Sequence, residues 1–472
     1  MAEDLRTDLC VIGAGSAGLT IASGAAQMGA SVVLIEAGQM GGDCLNTGCV
    51  PSKSLLAAAR AANGARTAGR LGAKAEAVTV DFEQVRAHVH GVIASIAPHD
   101  SQDRFEKLGC RVIRARARFL NDGTIEAGGV RVHARRFVIA TGSRAAAPKI
   151  SGLETLTYFT NETIFQLTDL PRHLLIVGAG PIGCELAQAF RRLGSRVTVV
   201  EMGAILPRDD SEATAVIRRA LLAEGVEVIE GAGIASAASR SGGIVLSLKD
   251  GAQVEGSHLL IATGRQVNVE DLGLELAGVV HGPKGVQVDR RLRTTNRRIF
   301  AAGDVAGGPQ FTHVASYHAG IVLRNALFRI PAKVDLRALP WVTYTDPELA
   351  QVGMKENDAR RRWGDSIRVL KAAFAENDRA QTEAQTEGFA KIIASRNGAI
   401  LGATIVGAHA GELIHSVSLA ISSGLKLNAF TQAIFPYPTL GEINRQAVGQ
   451  FFQPKLFSPL TRRLVRFLAM FG

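Results

Sequence analysis

The sequence has few aromatic residues, few cysteines and no long apolar run. These shortages argue against a nucleic-acid-binding protein, a protein held together by many disulfides and a membrane-spanning protein. Aromatic residues make up 5% of the 472 residues, and five residues are cysteine. A membrane-spanning helix needs about 20 consecutive apolar residues, and no signal-peptide pattern precedes the first apolar stretch. We therefore expect a cytoplasmic protein, in which a close pair of cysteines is catalytic or metal-binding rather than a structural disulfide.

The basic residues are scattered along the chain, although the net charge is +10. Nucleic-acid-binding surfaces interleave clustered cations with aromatic side chains, and that pattern is missing here, so we predict no nucleic-acid partner. The chain is too long for a single core, so several domains are expected. Its 51 glycines favour an α/β fold with many tight turns between strands and helices.

The N-terminal stretch has the pattern of a dinucleotide-binding unit. Apolar residues 7–12 predict a strand that runs into Gly13, Gly15 and Gly18 at GxGxxG spacing, and a later apolar strand ends at Glu36. The glycines allow a tight turn, close approach to a pyrophosphate, and packing of the following helix on the strand. The helix N-terminus favours the phosphate charge, and the acid accepts hydrogen bonds from ribose hydroxyls.

The same pattern recurs farther along the chain. Residues 174–177 lead into Gly178, Gly180 and Gly183, and the strand that follows the next helical stretch ends at Glu201. Each unit also closes on an apolar strand that ends in Ala-Thr-Gly, once at residues 140–142 and again at residues 262–264. The chain is therefore predicted to carry two dinucleotide-binding units of related design.

A pair of cysteines lies within the first unit. Cys44 and Cys49 are separated by four residues, glycines surround them, and Pro51 opens a stretch of strong helix formers. Proline is tolerated in the first turn of a helix, so Cys49 is expected close to a helix N-terminus, where a reactive thiolate is favoured. We predict a redox-active disulfide that lies against a cofactor.

The two units are expected to bind different dinucleotides. The unit with the cysteines suits a tightly bound flavin, whereas a nicotinamide must come and go and is assigned to the second unit. An acid at the end of the second strand favours a free 2′-hydroxyl, so Glu201 favours NADH over NADPH. Arg208, seven residues later, keeps NADPH as the less favoured alternative.

The chain beyond the second unit divides into two parts. A strand within residues 298–305 ends in Gly303 and Asp304, which is placed to bind a ligand hydroxyl at the carboxyl end of a sheet. An aspartate that only turns a loop is the structural alternative. From about Pro340 the composition changes, and strands at 388–394 and 400–407 alternate with helices, which predicts an α+β domain with another task.

Taken together, these motifs resemble the class I flavin disulfide reductases, a family that includes dihydrolipoamide dehydrogenase, glutathione reductase and mercuric reductase. The resemblance covers essentially the whole chain and rests on two GxGxxG units, the GGxCLNxGCxPSK segment, two Ala-Thr-Gly strands, the Ala-Ala-Gly-Asp strand and the stretch from Thr345 to Gly353. It implies an α/β fold with two Rossmann-like domains, for FAD and NAD, plus a C-terminal α+β dimerisation domain, assembled as a homodimer. The predicted boundaries are 1–148 for FAD binding, 149–275 for NAD(P) binding, 276–338 for a central domain and 339–472 for the interface domain.

The resemblance also implies roles for individual residues. Cys44 matches the interchange thiol that meets the substrate, and Cys49 matches the charge-transfer thiol beside the flavin. Lys53 and Glu185 match the pair that assists hydride transfer from nicotinamide to flavin. The predicted cofactor-binding residues are Gly13, Gly15, Ser16, Gly18, Glu36, Ala37, Gly42, Lys53, Ala140, Thr141, Gly142, Gly178, Gly180, Gly183, Glu201, Gly264, Gly303 and Asp304. No resident metal site is predicted.

The sequence departs from the family pattern at one catalytic position. Dihydrolipoamide dehydrogenase and glutathione reductase use a His–Glu dyad that serves the partner subunit's disulfide, and here Tyr437 replaces the histidine while Glu442 is kept. A tyrosine with an ordinary pKa of about 10 is a poor general base at pH 7. Mercuric reductase also has a tyrosine at this place, but its usual C-terminal cysteine pair is missing here. His313, His318, His409 and His415 are the candidate replacement bases.

Three functions remain open on this reasoning. The first is electron transfer from NAD(P)H through FAD and the Cys44–Cys49 disulfide to a metal ion or a thiol-reactive small molecule. The second is a dihydrolipoamide dehydrogenase acting on lipoyl groups. The third is a redox-sensing or electron-delivery subunit that contacts a membrane or a partner through the basic, amphipathic tail at residues 459–471. Because this tail is short, we expect it to pack on its own subunit or across the dimer.

Overall fold

The structure, a computed structural model, describes residues 3–240 and 242–471. Met1, Ala2, Ser241 and Gly472, which fall within the predicted domains and tail, lie outside the described residues. The chain divides into two compact units. Unit 1 comprises the described residues of Met1–Ala58, Val80–Gly178 and Ile234–Val334, and unit 2 those of Ala59–Thr79, Ala179–Gly233 and Asp335–Gly472.

The N-terminal part of the chain alternates strands and helices before a run of antiparallel strands. Its elements are β1 (Glu3–Ile12), α1 (Ser16–Gln27), β2 (Val32–Ile35), α2 (Gly42–Asn46), α3 (Cys49–Thr67), α4 (Phe82–Asp100), α5 (Gln102–Lys107), β3 (Cys110–Ile113), β4 (Ala117–Phe119), β5 (Thr124–Ala127), β6 (Val130–Ile139) and β7 (Ser143–Ala145).

The middle of the chain repeats the strand–helix–strand pattern. Its elements are β8 (His173–Val177), α6 (Pro181–Leu193), β9 (Arg196–Val200), α7 (Ser211–Ala223), β10 (Glu227–Ile229), β11 (Ile234–Arg240), β12 (Gly243–Leu248), β13 (Gln253–Gly256), β14 (His258–Ile261), β15 (Arg265–Val267), β16 (His281–Gly282), β17 (Gly285–Val286), β18 (Ile299–Ala301) and α8 (Thr312–Ala326).

The C-terminal part combines an antiparallel sheet with several helices. Its elements are β19 (Pro340–Thr343), β20 (Glu348–Gly353), α9 (Glu356–Trp363), β21 (Ile367–Ala373), α10 (Asp378–Thr382), β22 (Phe389–Ser395), β23 (Ile400–Gly407), α11 (Ala410–Ser422), α12 (Asn428–Gln432), α13 (Glu442–Leu456) and α14 (Pro459–Leu468).

A seven-stranded sheet organises unit 1. The strand order is β3-β2-β1-β6-β5-β4, and β18 pairs with β6. The strands around β1 run parallel, whereas β4, β5 and β6 pair in antiparallel fashion. Because successive side chains of a strand point to opposite faces, Leu9 and Val11 join one core cluster, while Cys10 and Ile12 join another. Both faces of β1 are therefore buried, as expected for a parallel strand in an α/β fold.

The second dinucleotide pattern is divided between the two units by residue range. In unit 1, β8 pairs in parallel with β14, and β11, β12 and β13 form an antiparallel sheet. In unit 2, β9 pairs in parallel with β10. Helix α6 begins with Pro181 directly after Gly180, as expected from the preference for proline in a first helical turn.

The predicted α+β domain is present in unit 2. Its antiparallel sheet has the order β19-β20-β23-β22-β21. Ile392 and Ile405 of the sheet share a core cluster with Ile414 of α11 and Ile443 of α13. The helices therefore bury their apolar residues against the sheet, and the region contains no repeat of the glycine-rich dinucleotide pattern.

Two predicted details differ from the structure. The strand expected to end at Asp304 ends at Ala301, and Asp304 lies in a single 3-10 turn, Gly303–Ala306. The tail forms the predicted helix, but none of the residues of α14 is buried. Within the described chain α14 therefore packs on no core of its own subunit, and the other half of the expectation, packing across the dimer, stays a prediction. Among the described residues, the helices are all too short or too polar to cross a membrane.

Candidate active site

The two cysteines lie in consecutive short elements of unit 1. Cys44 is in the middle of α2, and Cys49 is the first residue of α3, as the position of Pro51 predicts. Gly41 and Gly42 have φ values of +89° and +60°, which glycine adopts at little cost. A Cβ on Gly42 would lie 2.7 Å from Cα of Gly15. The cysteine loop therefore rests directly on the first glycine-rich loop.

The two thiols have opposite electrostatic environments. Both are free thiols in the structure, Cys44 half-buried and Cys49 exposed. A hydrogen bond from Cys44 is the main reason that the pKa of Cys49 falls to about 6; the Thr312 hydroxyl, with Oγ1 3.2 Å from the sulfur, and the charge of Lys53 add to it, against desolvation. The same thiol–thiol hydrogen bond and desolvation raise the pKa of Cys44. Cys49 is thus the thiolate of the pair and Cys44 the proton-bearing thiol.

The first glycine-rich loop has no room for a side chain at Gly13 or Gly18. A Cβ on Gly13 would lie 2.3 Å from the carbonyl oxygen of Ala140, and one on Gly18 would lie 1.8 Å from the carbonyl oxygen of Gly13. Ser16 opens α1 directly behind this loop. The exposed backbone and the helix N-terminus form the cradle that a pyrophosphate needs, so these residues fit the dinucleotide part of FAD.

The side chain of Glu36, which directly follows β2, forms hydrogen bonds with the backbone of this loop. The backbone N–H groups of Ala14 and Gly38 each donate to one carboxylate oxygen of Glu36, both at 2.5 Å. A carboxylate offers about four acceptor positions, so two positions remain for ribose hydroxyls. Ala37, the next predicted contact, directly follows Glu36 and is exposed.

A charged network connects the cysteine loop with Asp304, the predicted contact to a ligand hydroxyl. Arg265 lies 3.0 Å from a carboxylate oxygen of Asp43, the residue before Cys44, and 3.8 Å from Asp304. Its Nε donates to the Ser143 hydroxyl at 2.8 Å, and that hydroxyl donates to Asp304. Asn161 also donates to Asp43 at 3.2 Å. Asp304 is therefore a network member and not merely a residue that turns a loop.

The second glycine-rich loop repeats the arrangement of the first. In unit 2, the backbone N–H groups of Ala179 and Gly203 donate to the two carboxylate oxygens of Glu201, at 2.7 and 2.8 Å. In unit 1, a Cβ on Gly178 would lie 2.6 Å from the carbonyl oxygen of Ala262. The residues of this pattern thus fit a second dinucleotide.

The predicted hydride-transfer pair is divided between the units by residue range. Lys53 belongs to unit 1, on α3. Glu185 belongs to unit 2, where it is buried on α6 and one of its carboxylate oxygens accepts from the backbone N–H of Tyr344 at 2.9 Å. The pairing of Lys53 with Glu185 stays a prediction.

Tyr437, at the position of the family's histidine, is exposed in unit 2. Its hydroxyl donates to a carboxylate oxygen of Asp378 at 2.9 Å, and this hydrogen bond, with the charge of Asp378, raises the pKa of the phenol. Glu442 begins α13, and its carboxylate accepts from the backbone N–H of Thr439 at 3.4 Å. The phenol is thus held in its protonated form.

The four candidate replacement histidines lie in different environments. His318 is buried on α8, accepts from the backbone N–H of Gly303 at 3.2 Å through Nδ1, and has its pKa lowered by burial. The ring of His313 stacks on Phe311 with 5.2 Å between centroids. His409 precedes α11 in a left-handed conformation, and His415 is exposed on that helix. These contacts favour structural roles for His318 and His313, whereas a role of His409 or His415 as the replacement base stays a prediction.

The remaining predicted cofactor-binding residues follow the last strand of each dinucleotide pattern. Ala140, Thr141 and Gly142 follow β6, and the Thr141 hydroxyl donates to the carbonyl of Asn268 at 2.6 Å. Gly264 follows β14 with a φ of +150°. The other three cysteines are buried, as expected for small apolar residues: Cys10, Cys110 and Cys184.

Sequence reasoning missed several residues that contact the predicted ones within each unit. They are Asp43, Ser143, Arg265, Thr312 and Asp378. A signal existed for two of them, because Ser143 and Arg265 directly follow the two Ala-Thr-Gly segments. The strands that they open, β7 and β15, pair with each other in unit 1.

The chain matches two family models that together span most of its length. Residues 7–319 match the model described as pyridine nucleotide-disulphide oxidoreductase. Residues 339–448 match the model described as its dimerisation domain. The matches support the α/β fold class with a C-terminal dimerisation domain that the sequence predicted.

Known relatives are similar over nearly the whole chain. A mercuric reductase from Streptomyces lividans is 38% identical over 459 residues, covering 94% of this chain and 96% of that protein. A dihydrolipoyl dehydrogenase from Geobacillus stearothermophilus is 33% identical over 454 residues, with the same coverage. The Cu(II) complex of the HOCl-induced flavoprotein disulfide reductase RclA from Escherichia coli superposes with a TM-score of 0.86 at 29% identity, covering 94% of this chain and 99% of that one.

Proposed function

Because the chain belongs to the pyridine nucleotide-disulphide oxidoreductase family, whose members use FAD and NAD(P)H, we propose that it is a reductase acting on a metal ion or a thiol-reactive small molecule. Electrons would pass from NADH through FAD to the Cys44–Cys49 pair, and from there to the acceptor at the interface of a homodimer. The observation that carries the choice of acceptor is the hydrogen bond from Tyr437 to Asp378.

The residues around the first glycine-rich loop supply the binding functions. The backbone at Gly13 and Gly15, with the N-terminus of α1, holds the pyrophosphate, and Glu36 and Asp304 accept from hydroxyl groups. When bound, FAD supplies a two-electron carrier between the nicotinamide and the sulfur pair. Arg265 holds Asp43 and Asp304 in one network, and thereby fixes the cysteine loop relative to the cofactor cradle.

The sulfur chemistry follows from the two pKa values. NADH and one proton together supply two electrons and two protons. These reduce the disulfide: the S–S bond breaks, and two thiol groups form. Cys49 releases its proton above about pH 6, whereas Cys44 keeps its own because its pKa is raised. The acceptor then takes the two electrons, the disulfide re-forms, and the protons leave to solvent.

The state of Tyr437 supports an acceptor that needs no general base. Oxidation of a dithiol substrate requires removal of its protons, and general acid–base catalysis contributes about 10²–10⁴-fold to such a step. A phenol whose pKa is raised by Asp378 does not supply that base. A metal ion carries no proton to remove, and both the mercuric reductase relative and the copper-bound RclA structure fit this acceptor class.

A substrate screen with two variants tests the proposal. NADH oxidation by the full-length, FAD-loaded protein is measured with Hg²⁺, Cu²⁺, small disulfides and quinones, and NAD⁺ reduction is measured with free dihydrolipoamide. We expect a metal ion or a thiol-reactive compound to support turnover that Cys44→Ala abolishes. We expect Tyr437→His to raise the dihydrolipoamide rate about a hundredfold, because it restores a base.

Tyr437→Phe is the matched control, since it keeps the ring but cannot act as a base, and it is expected to leave the dihydrolipoamide rate unchanged. Turnover of dihydrolipoamide by the unmodified protein at an ordinary enzyme rate of about 10 s⁻¹ or more would contradict the proposal. It would favour the second candidate, a dihydrolipoamide dehydrogenase, for which the Geobacillus stearothermophilus relative is the supporting observation.

A further inference from the structure

The C-terminal helix α14 has a clear division between apolar and basic side chains. Leu460, Leu464 and Leu468 recur at four-residue spacing, and Phe467 falls on the same face because it is three residues from Leu464. The three arginines of the helix lie outside this apolar face, on the rest of the helix surface: Arg462, Arg463 and Arg466. The sequence therefore gives α14 one apolar face and one cationic face.

The apolar face of α14 is uncovered in the structure. Leu460, Leu464, Phe467 and Leu468 each expose more than half of their surface. Phe471, which follows the helix, is also exposed, and its ring lies 5.1 Å from that of Phe467 in an edge-to-face contact. A contiguous exposed apolar surface of this kind marks an interaction site in a folded protein.

The structure separates α14 from the helix before it. Ser458 caps α14, because its hydroxyl accepts from the backbone N–H of Thr461 at 3.2 Å. Pro459 occupies the first turn, so the helix starts anew there instead of continuing α13. The segment is therefore an element with its own boundaries, and the match to the dimerisation-domain model ends before it, at residue 448.

The charge pattern decides what covers this face. After Glu442 the sequence contains five cationic side chains and no acidic one: Arg445, Lys455, Arg462, Arg463 and Arg466. A second copy of the chain would bring a second cationic helix to the first, in a protein whose net charge is already +10. An anionic lipid surface, in contrast, complements the arginines and accepts the apolar side chains.

We propose that α14, together with residues 469–471, docks the enzyme on a membrane surface that contains anionic lipids. The helix has ten residues, which span only about 15 Å at 1.5 Å per residue, half of the hydrocarbon thickness of a bilayer. It therefore lies in the interface plane, with its leucine and phenylalanine side chains among the acyl chains and its arginines at the headgroups. This docking is independent of the acceptor proposed above.

Vesicle flotation tests the docking. The full-length, FAD-loaded protein is mixed with vesicles of phosphatidylcholine alone or with about one third phosphatidylglycerol, and the bound fraction is measured. We expect binding to the anionic vesicles only, and weaker binding as salt is added. The variant R462Q/R463Q/R466Q is expected to bind about a hundredfold less tightly, since each arginine near an anionic surface contributes about a factor of five.

Two controls separate docking from general charge and from folding. The variant R360Q/R361Q/R362Q removes three positive charges from α9 instead of α14. It is expected to float with the anionic vesicles to the same extent as the unmodified protein. Leu464→Asp with Phe467→Ser tests the apolar face without changing the arginines, and it is also expected to abolish flotation while NADH oxidation is retained.

Three results would overturn the proposal. The first is equal binding to neutral and anionic vesicles. The second is an unchanged bound fraction in R462Q/R463Q/R466Q. The third is dissociation of the oligomer, measured by sedimentation, when residues 457–472 are deleted, because that result would assign α14 to the contact between copies of the chain.

Discussion

At the scale of single residues, the cysteine pair is made unequal by one hydrogen bond. Cys44 donates toward Cys49, and this contact is the largest cause both of the lowered pKa of Cys49 and of the raised pKa of Cys44. The position of Cys49 at the start of α3 acts in the same direction, because a helix N-terminus stabilises a thiolate. One sulfur is thereby prepared to hold negative charge and the other to keep its proton.

This asymmetry predicts the pH dependence of thiol reactivity. In the NADH-reduced enzyme, Cys49 should be alkylated by iodoacetamide with a midpoint at about pH 6, since it is a thiolate above that pH and a thiol below it. In Cys44→Ala the midpoint should rise toward the ordinary cysteine value of about 8.5, because the donor of the main hydrogen bond is gone. The measurement is the alkylation rate against pH, with the modified residue identified by mass spectrometry.

Thr312→Val serves as the comparison variant for this measurement. It removes the smaller hydrogen bond to Cys49 and should raise the midpoint less than Cys44→Ala does. A midpoint that stays near pH 6 in Cys44→Ala would show that the thiol–thiol contact does not control the pKa of Cys49.

The sequence predicted the residue types of the site better than their partners. Tyr437 was expected to be a poor base from its ordinary pKa alone, and its partner Asp378 strengthens that expectation. The partner was out of reach of the sequence, because the two residues are 59 positions apart and Asp378 belongs to no recognised motif. Arg265 and Ser143 could have been noticed beside the two Ala-Thr-Gly segments, but their hydrogen bond spans 122 positions and was not visible in the sequence.

At the scale of elements, the packing of α1 on β1 depends on a missing side chain. Gly18 lies in the first turn of α1, and a Cβ there would lie 1.8 Å from the carbonyl oxygen of Gly13. This is far inside any normal contact distance. The helix would have to move away from the loop that forms the cofactor cradle.

Gly18→Ala is therefore expected to destabilise the protein by about 3 kcal/mol or more, at the upper end of the usual cost of overpacking. It should also lower the amount of FAD that the purified protein retains. Urea unfolding and the ratio of flavin to protein absorbance measure the two effects.

Gly64→Ala is the matched control, because Gly64 lies within α3 with nothing near the position of its Cβ. That substitution should be neutral or stabilise the protein by up to about 1 kcal/mol, as alanine does in helices. Equal stability and equal FAD content in Gly18→Ala and Gly64→Ala would contradict the packing argument.

The local sequence predicted the start of α3 correctly but placed the end of β18 too late. Pro51 restricts the backbone directly, so the helix begins at Cys49 as predicted. The strand before Asp304 ends three residues earlier than its apolar sequence suggests, at Ala301. There Gly303, with a φ of +74°, turns the chain, and a periodic apolar pattern alone does not reveal such a turn.

At the scale of the whole molecule, the two dinucleotide patterns share one design. Each places a glutamate at the end of its second strand, and each glutamate accepts two backbone N–H groups, one of them from the glycine-rich loop: Glu36 from Ala14 and Glu201 from Ala179. The repeat was visible in the sequence because it depends on short motifs. The division of the chain into the four predicted domains stays a prediction.

The repeat predicts which nicotinamide cofactor the enzyme prefers. A 2′-phosphate next to Glu201 would place like charges together, which costs several kcal/mol at a close contact. We expect kcat/KM for NADH to exceed that for NADPH by about a hundredfold, measured as oxidation rates with one acceptor. Glu201→Gln should reduce this preference at least tenfold by removing the negative charge.

Glu36→Gln provides the control, because it alters the equivalent carboxylate of the first pattern. It should lower FAD retention while it leaves the ratio of NADH to NADPH activity unchanged. A change of that ratio in Glu36→Gln, or none in Glu201→Gln, would contradict the assignment of the nicotinamide cofactor to the second pattern.

The close approach of Gly42 to Gly15 has a consequence for how the two loops respond to each other. Because the cysteine loop rests on the glycine-rich loop, a backbone shift in one loop displaces the other. The glycine-rich loop is the predicted site of the cofactor's pyrophosphate, so we expect cofactor binding to restrict the positions of the two sulfurs as well.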